Sequence, residues 1–205
     1  LFSYISVLNT MKNQICTILG GGGFIGRYLV RNLTKKNFRC VISSRKAFEK
    51  GYLKTQATPG SIELLNWNSN NFSELKEAIK NSDIVINLIG ILYETRKQKF
   101  HNIHSSIPEA VAKICSESDV KKFIHVSAIG ANENSKSLYQ KSKHLGEVKA
   151  LSNFKNTVII RPSVVCGTED NFTNLFSKLS ILPVIPLVGI NYKFQPILVT
   201  DVADA

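Results

Sequence analysis

Ile15-Cys16-Thr17-Ile18-Leu19-Gly20-Gly21-Gly22-Gly23-Phe24-Ile25-Gly26 decides how this chain is read. A short apolar run ends in four glycines, and another glycine follows at position 26. The stretch satisfies G-x-G-x-x-G from Gly21 and G-x-x-G-x-x-G from Gly20. Beyond it, Ile25, Leu29, Val30 and Leu33 fall at helical spacing between Phe24 and Lys36. Strand, glycine turn and amphipathic helix in that order form the context of a phosphate-binding loop. Residues without a Cβ let the backbone turn sharply and approach a pyrophosphate, and the helix N-terminus adds N–H donors and a positive dipole end. Gly20, Gly22, Gly23, Phe24, Ile25 and Gly26 are therefore candidate nucleotide contacts. The plainer alternative is a flexible glycine turn.

Outward from this loop, strand and helix signals alternate. Arg39 to Ser43, Ile62 to Leu65, Asp83 to Leu88, Lys122 to Ser127 and Thr157 to Arg161 read as five more strands. The run at 83–88 is nearly all apolar, as a strand covered on both faces should be. Asn71/Glu74 and Ser106/Glu109 read as capping boxes opening helices to Lys80 and Glu117. Ser135 to Ser152 reads as a long helix. Such spacing implies right-handed β-α-β units and a doubly wound parallel sheet in three α/β/α layers. After Pro162 the pattern loosens. A helix over Asp170 to Leu179, a strand over Lys193 to Gln195 and a helix start at Thr200 are expected.

Composition excludes several classes. Of 205 residues, 43% are hydrophobic and 20% charged, so a packed core is expected rather than disorder. The longest apolar run, Ile181 to Ile190, is broken by Pro183, Pro186 and Gly189, and falls short of the roughly 18 residues a membrane span needs. Cys16, Cys40, Cys115 and Cys166 are widely spaced, which argues against a zinc ribbon, a thioredoxin site or a disulfide scaffold, and no metal site is expected. A reducing compartment follows. Lys and Arg number 26 against 15 Asp and Glu, a net charge of +11, which favours an anionic partner. The charge is scattered rather than gathered into a groove, so a nucleic acid is not the expected partner.

Two further groups carry chemistry. The second strand ends in Ser43-Ser44-Arg45-Lys46, without the acidic residue that accepts from the ribose 2′-hydroxyl of NAD. Ser44, Arg45 and Lys46 suit a 2′-phosphate instead, so NADPH is preferred, with NAD the alternative. Arg45 could also cap a turn or stack on adenine. Tyr139 and Lys143 stand four residues apart on one helix face. The ammonium can lower the phenol pKa and hold ribose hydroxyls, and Ser127 can donate to a substrate carbonyl. His125 reads as a satisfied core residue. His101 and His104 flank a loop-to-helix junction.

Together these residues resemble the extended, atypical short-chain dehydrogenase/reductases, whose fold is the Rossmann fold. The glycine loop, Asn87-Leu88-Ile89-Gly90, Ser127, Tyr139, Lys143, Arg161-Pro162-Ser163-Val164-Val165 and Val199-Thr200-Asp201-Val202-Ala203 fall in the family order from Asn13 to Ala205. The resemblance adds Asn68, Leu88, Ile89, Gly90 and Pro162 to the cofactor contacts, with Tyr139 and Lys143, and makes Ser127, Tyr139 and Lys143 the catalytic set. Asn87 to Leu92, Ile107 to Ala110, Lys122 to Ala128 and Gly167 to Phe172 are similar to the Rossmann-type accessory subunits of respiratory complex I and their bacterial relatives. That subgroup implies a tightly held NADPH and a structural role in the peripheral arm near the membrane. His104 stands where extended members carry an active-site Asn. The expected organisation is an N-terminal extension over 1–12, a nucleotide-binding domain over 13–165, and the start of a truncated substrate region over 166–205. The alternative function is an active reductase or epimerase using Tyr139 and Lys143 on a carbonyl or nucleotide-sugar. A protein binding RNA or a membrane surface rests on charge alone. The expected location is the bacterial cytoplasm, at the inner membrane face, or the matrix side in a eukaryote.

Overall fold

In β1, Ile15–Leu19, the side chains alternate between two buried faces. Cys16 and Ile18 join one apolar cluster with Val30, Cys40, Ile42, Leu53 and Leu64. Leu19 joins the other, with Leu75, Ile79, Val85, Val111 and Phe123. A strand apolar on both faces must be covered on both faces, which forces a three-layer arrangement. The computed structural model describes residues 14–68, 71–181 and 193–205. The N-terminal extension and most of the apolar run after Ile181 lie outside the described residues.

β1 is joined by β2 (Arg39–Ser44), β3 (Ile62–Asn66), β4 (Ile84–Asn87), β5 (Lys122–Val126) and β6 (Thr157–Ile160). All pair in parallel, in the order β3-β2-β1-β4-β5-β6. The chain steps outward from β1 to β3, then returns to β4 on the other side of β1. This reversal leaves a crevice at the carboxyl ends of β1 and β4, where ligands of such sheets bind. One face is covered by α1 (Phe24–Lys35) and a 3-10 helical segment over Ala47–Gln56. The other is covered by α2 (Phe72–Ile79), α3 (Ile107–Ser116) and α4 (Leu138–Asn153). The six strands and the doubly wound order are as the sequence leads one to expect.

The differences have local causes. Asn71 caps α2, its Oδ1 accepting from the amides of Ser73 and Glu74, but Glu74 accepts from the amide of Asn68 instead of closing the box. Ser106 caps nothing. It sits inside helical backbone, because a π turn over His101–Ser106 runs directly into α3. Its expected partner Glu109 instead accepts from Lys113 and Lys149, tying α3 to α4. α4 starts at Leu138, where the Ser137 hydroxyl accepts from the amide of Gln140. Ahead of α5 (Phe172–Leu179), Asp170 accepts from the amides of Thr173 and Gly167, so that helix begins two residues later than expected. No strand forms at Lys193 to Gln195. A two-residue strand at β8 (Ile197–Leu198) pairs with β7 (Val165–Cys166), so the boundary drawn between 165 and 166 runs through a strand. The last helix, α6 (Val199–Asp204), packs on α1.

α4 meets the π turn at Gly146, where an added Cβ would lie 1.8 Å from the carbonyl oxygen of His104. Gly146→Ala should therefore cost about 1–3 kcal/mol, the usual range for overpacking. A thermal melt followed by circular dichroism should show a midpoint lower by several degrees. An unchanged midpoint would contradict this packing.

Candidate functional site: a nucleotide cleft beside a buried polar centre

The glycine loop closes the carboxyl end of β1. Gly20 has φ +80, which disfavours any side chain there, and its amide donates to Ser43 O at 2.9 Å. A Cβ on Gly26 would lie 2.3 Å from Gly21 O, so only glycine lets α1 rest on the loop. The first bond along α1 runs from the Arg27 amide to Gly23 O at 3.2 Å. Gly23 offers no side-chain cap, and the first turn holds no acid. The amides of Phe24, Ile25 and Gly26 are thus left to an outside acceptor, the condition for anion binding. The Phe24 ring turns away. It packs against Tyr28 and against Gly167, whose added Cβ would meet it at 3.1 Å. Phe24 can serve a nucleotide only through its backbone.

A cleft of about 710 Å³ opens beside the loop. Of the expected residues, Gly20, Gly22, Gly23, Ser44, Arg45, Lys46, Leu88, Ile89 and Gly90 line it. Asn68, Pro162, Ser127, Tyr139 and Lys143 are not among its lining residues. In place of Asn68 the preceding Trp67 contributes, 2% exposed, its indole N–H donating to Asn71 O at 2.8 Å. A Trp directly after a strand end was the overlooked signal. Asn68 uses its amide on Glu74, and the Pro162 carbonyl accepts from the amide of Ile129. Glu49, Lys50, Ile91, Gln98 and Ile103 also line the cleft without having been expected there.

Lys143 lies at the Gly90 side of the cleft. A Cβ on Gly90 would be 3.2 Å from its Nζ and 3.7 Å from His104 Nε2. Lys143 is 4% exposed and donates to Val126 O at 3.3 Å. Burial pushes its amine down to about 8, against the pull of Glu147. Glu147 is buried too, and Arg161 grips it through Nε at 2.8 Å and through Nη2. His104 accepts from the amide of Ile91 at Nε2, 3.0 Å, so its proton is on Nδ1, which donates to Ser142 Oγ at 2.9 Å. Ser142 Oγ donates in turn to Tyr139 O at 2.7 Å. His125 is only half satisfied: Nδ1 faces Asn87 Nδ2 at 3.2 Å, but buried Nε2 has no partner among the described residues.

The three residues expected to form a catalytic set are not connected. The Tyr139 ring stands edge-on to Phe100 and His104, and burial pushes its phenol above the usual value. The expected lowering of that phenol by Lys143 does not occur, since burial alone sets its direction. No hydrogen bond among the described residues joins its hydroxyl to Lys143 or Ser127. Ser127 Oγ is buried without a partner.

Burial first, then the Lys143 charge, pushes both His104 and His125 from 6.5 down to about 3. Between those values the unfolded chain binds protons that the folded chain refuses. The stability these groups contribute is present above pH 6.5 and is lost as pH falls toward 3. His125→Gln should flatten the fall in unfolding free energy across that window, measured by denaturant titration at stepped pH. Profiles parallel to the parent's would contradict the assignment.

The model of the NAD dependent epimerase/dehydratase family matches residues 16–181. NADH dehydrogenase (ubiquinone) 1 alpha subcomplex subunit 9, mitochondrial, of Mus musculus is 34% identical over 95% of this chain and 52% of its own length. The mitochondrial NADH-ubiquinone oxidoreductase 40 kDa subunit of Neurospora crassa is 31% identical over 96% of this chain and 52% of its own. The chain thus spans about half the length of the curated relatives it matches. The X-ray structure of Pen from Bacillus thuringiensis has a TM-score of 0.81 at 17% identity, covering 95% of this chain and 66% of that one, a likeness of fold alone. Glycine loop, strand order and family match agree: the chain belongs to the NAD-dependent epimerase/dehydratase family.

Proposed function

We propose that this chain is the nucleotide-binding part of a mitochondrial complex I subunit, and that NADP(H) serves it as a structural ligand rather than as a consumed reagent. The observation that carries the reading is a contrast within the site. The half that would hold a cofactor is assembled: a Cβ-free cradle, unused amides at the start of α1, and the Arg45 cation at the end of β2. The half that would move protons is not, because Tyr139, Ser127 and Lys143 share no hydrogen bond and the phenol is raised. Likeness to complex I subunits over nearly the whole chain supports the assembly. No described helix is long and apolar enough to cross a membrane. The proposed place is the peripheral arm near the membrane, on the matrix side.

When bound, a nicotinamide nucleotide supplies hydride chemistry. This chain's residues would hold it as follows. The amides of Phe24, Ile25 and Gly26 receive the pyrophosphate. Arg45 meets the 2′-phosphate, where NAD carries only a hydroxyl. Trp67 offers an apolar wall and Leu88 to Gly90 a backbone edge. Lys143, charged at neutral pH and buried, is suited to ribose hydroxyls.

Arg45→Glu should weaken NADPH binding about 10- to 100-fold, the worth of a charge-assisted hydrogen bond, and leave NADH binding nearly unchanged. Titration calorimetry with both nucleotides decides; equal losses would remove Arg45 from the phosphate. Gly23→Val is the complementary test. A Cβ there would meet only Gly20 O, at 3.2 Å, so the variant should fold with an obstructed cradle. Complex I content in mitochondria should then fall, because bound ligand supplies about 2.7 kcal/mol at a hundredfold excess over Kd. Tyr139→Phe should leave that content intact. Carbonyl reduction by the parent that vanishes in Tyr139→Phe would establish the reductase or epimerase reading instead.

A further inference from the structure

Three cations line the cleft, and they are not equivalent. Lys46, named from sequence with Arg45 as a phosphate contact, donates to Glu49 at 2.8 Å, with both side chains well exposed. Such an exposed pair contributes little by itself, but it sets a cleft carboxylate beside Lys46 that a phosphate would have to displace. Arg45 and Lys50 have no carboxylate partner among the described residues. Arg27, the nearest cation on α1, is committed to Glu169 at 3.1 Å and lies 5.9 Å from the Tyr52 ring centre.

Lys50 is held in an unusual way. It is the one residue of the 3-10 segment with non-helical backbone, φ −99 and ψ 24, so the segment turns at this point. Its stem runs across the glycine loop. A Cβ placed on Gly22 would be 2.7 Å from Lys50 Cγ and 3.4 Å from Cδ. Gly22 is thus the floor on which the lysine stem lies, and the half-buried side chain also lines the cleft. Arg45 follows β2 directly, so the two cations reach the cleft from separate elements.

We propose that Lys50, not Lys46, is the second cation that reads the 2′-phosphate beside Arg45. The inference rests on the NADP(H) reading above and adds the residue that completes its specificity. A phosphate monoester carries close to two negative charges at neutral pH, and two cations on separate elements match it where one would leave it half-neutralised. A ribose hydroxyl gains nothing from the pair. A stem already laid on the loop also loses less freedom on binding than a free lysine.

The test is calorimetric binding of NADPH, NADH and 2′,5′-ADP to the parent chain, Lys50→Met and Lys46→Met. Methionine keeps an unbranched apolar stem over Gly22 and removes the charge. Lys50→Met should weaken NADPH and 2′,5′-ADP by roughly tenfold or more and leave NADH unchanged, while Lys46→Met changes none of the three. Equal weakening of NADPH and NADH in Lys50→Met would assign the lysine to the pyrophosphate and overturn the proposal. So would a loss confined to Lys46→Met, or a parent that prefers NADPH while Lys50→Met keeps that preference in full. A parent that binds none of the three overturns the NADP(H) reading itself, and this one with it.

Discussion

The closest backbone approach in the loop, Gly26 against Gly21, fixes what the rest of the chain can do. It sets the N-terminus of α1 at the carboxyl end of β1, beside the point where the strand order reverses. The unused amides of α1 and the crevice of the sheet therefore coincide. The same helix covers one face of the sheet through Val30 and anchors the region beyond β6. Arg27 and Tyr28 bond Glu169, and Asn32 donates to Asp204 at 2.6 Å. Displacing α1 by one Cβ would disturb the cradle, the core and the small second sheet at once.

The second constraint is electrostatic. A buried lysine is costly unless something holds its charge. Glu147 does so one helical turn away, and Arg161 prevents the glutamate from being left alone at the edge of the sheet. Burial, and after it the charge of Lys143, keeps the two neighbouring histidines neutral, so they serve as directional hydrogen-bonding groups. His104 uses that role to fix the amide of Ile91 and the hydroxyl of Ser142. This centre is built to keep one cation at the edge of the cleft. It is not built to bring that cation to the phenol of Tyr139.

Much of the fold was legible because its strands are covered on both faces. β4, Ile84–Asn87, could be read within the apolar run from Asp83 to Leu88, and the glycine loop from its spacing together with the strand before it and the amphipathic helix after it. The start of α3 was not legible. Ser106 and Glu109 have the right spacing for a cap, but they follow a π turn whose His104 carbonyl packs on Gly146, a contact remote in sequence. β7 and β8 are two residues each, too short for any period to show. In the site, loop and cation residues adjacent in sequence to a strand end were found, whereas Lys50 reaches Gly22 only through the turn of its segment. Lys46 lines the cleft as its place after β2 suggests, but its pairing with Glu49, three residues on, could be known only once the chain's turn there was seen. Tyr139 and Lys143 share a helix face, but their side chains serve different surroundings.

The proposed structural role requires a cofactor-holding half that is complete beside a proton-moving half that is not. The most direct measurement is the identity and redox fate of the nucleotide that copurifies with the protein, read by mass after denaturation and by absorbance of the native protein. Bound NADPH that stays reduced when carbonyl compounds or sugar nucleotides are added is the expected result. Rapid oxidation of that NADPH by any of these compounds would contradict it.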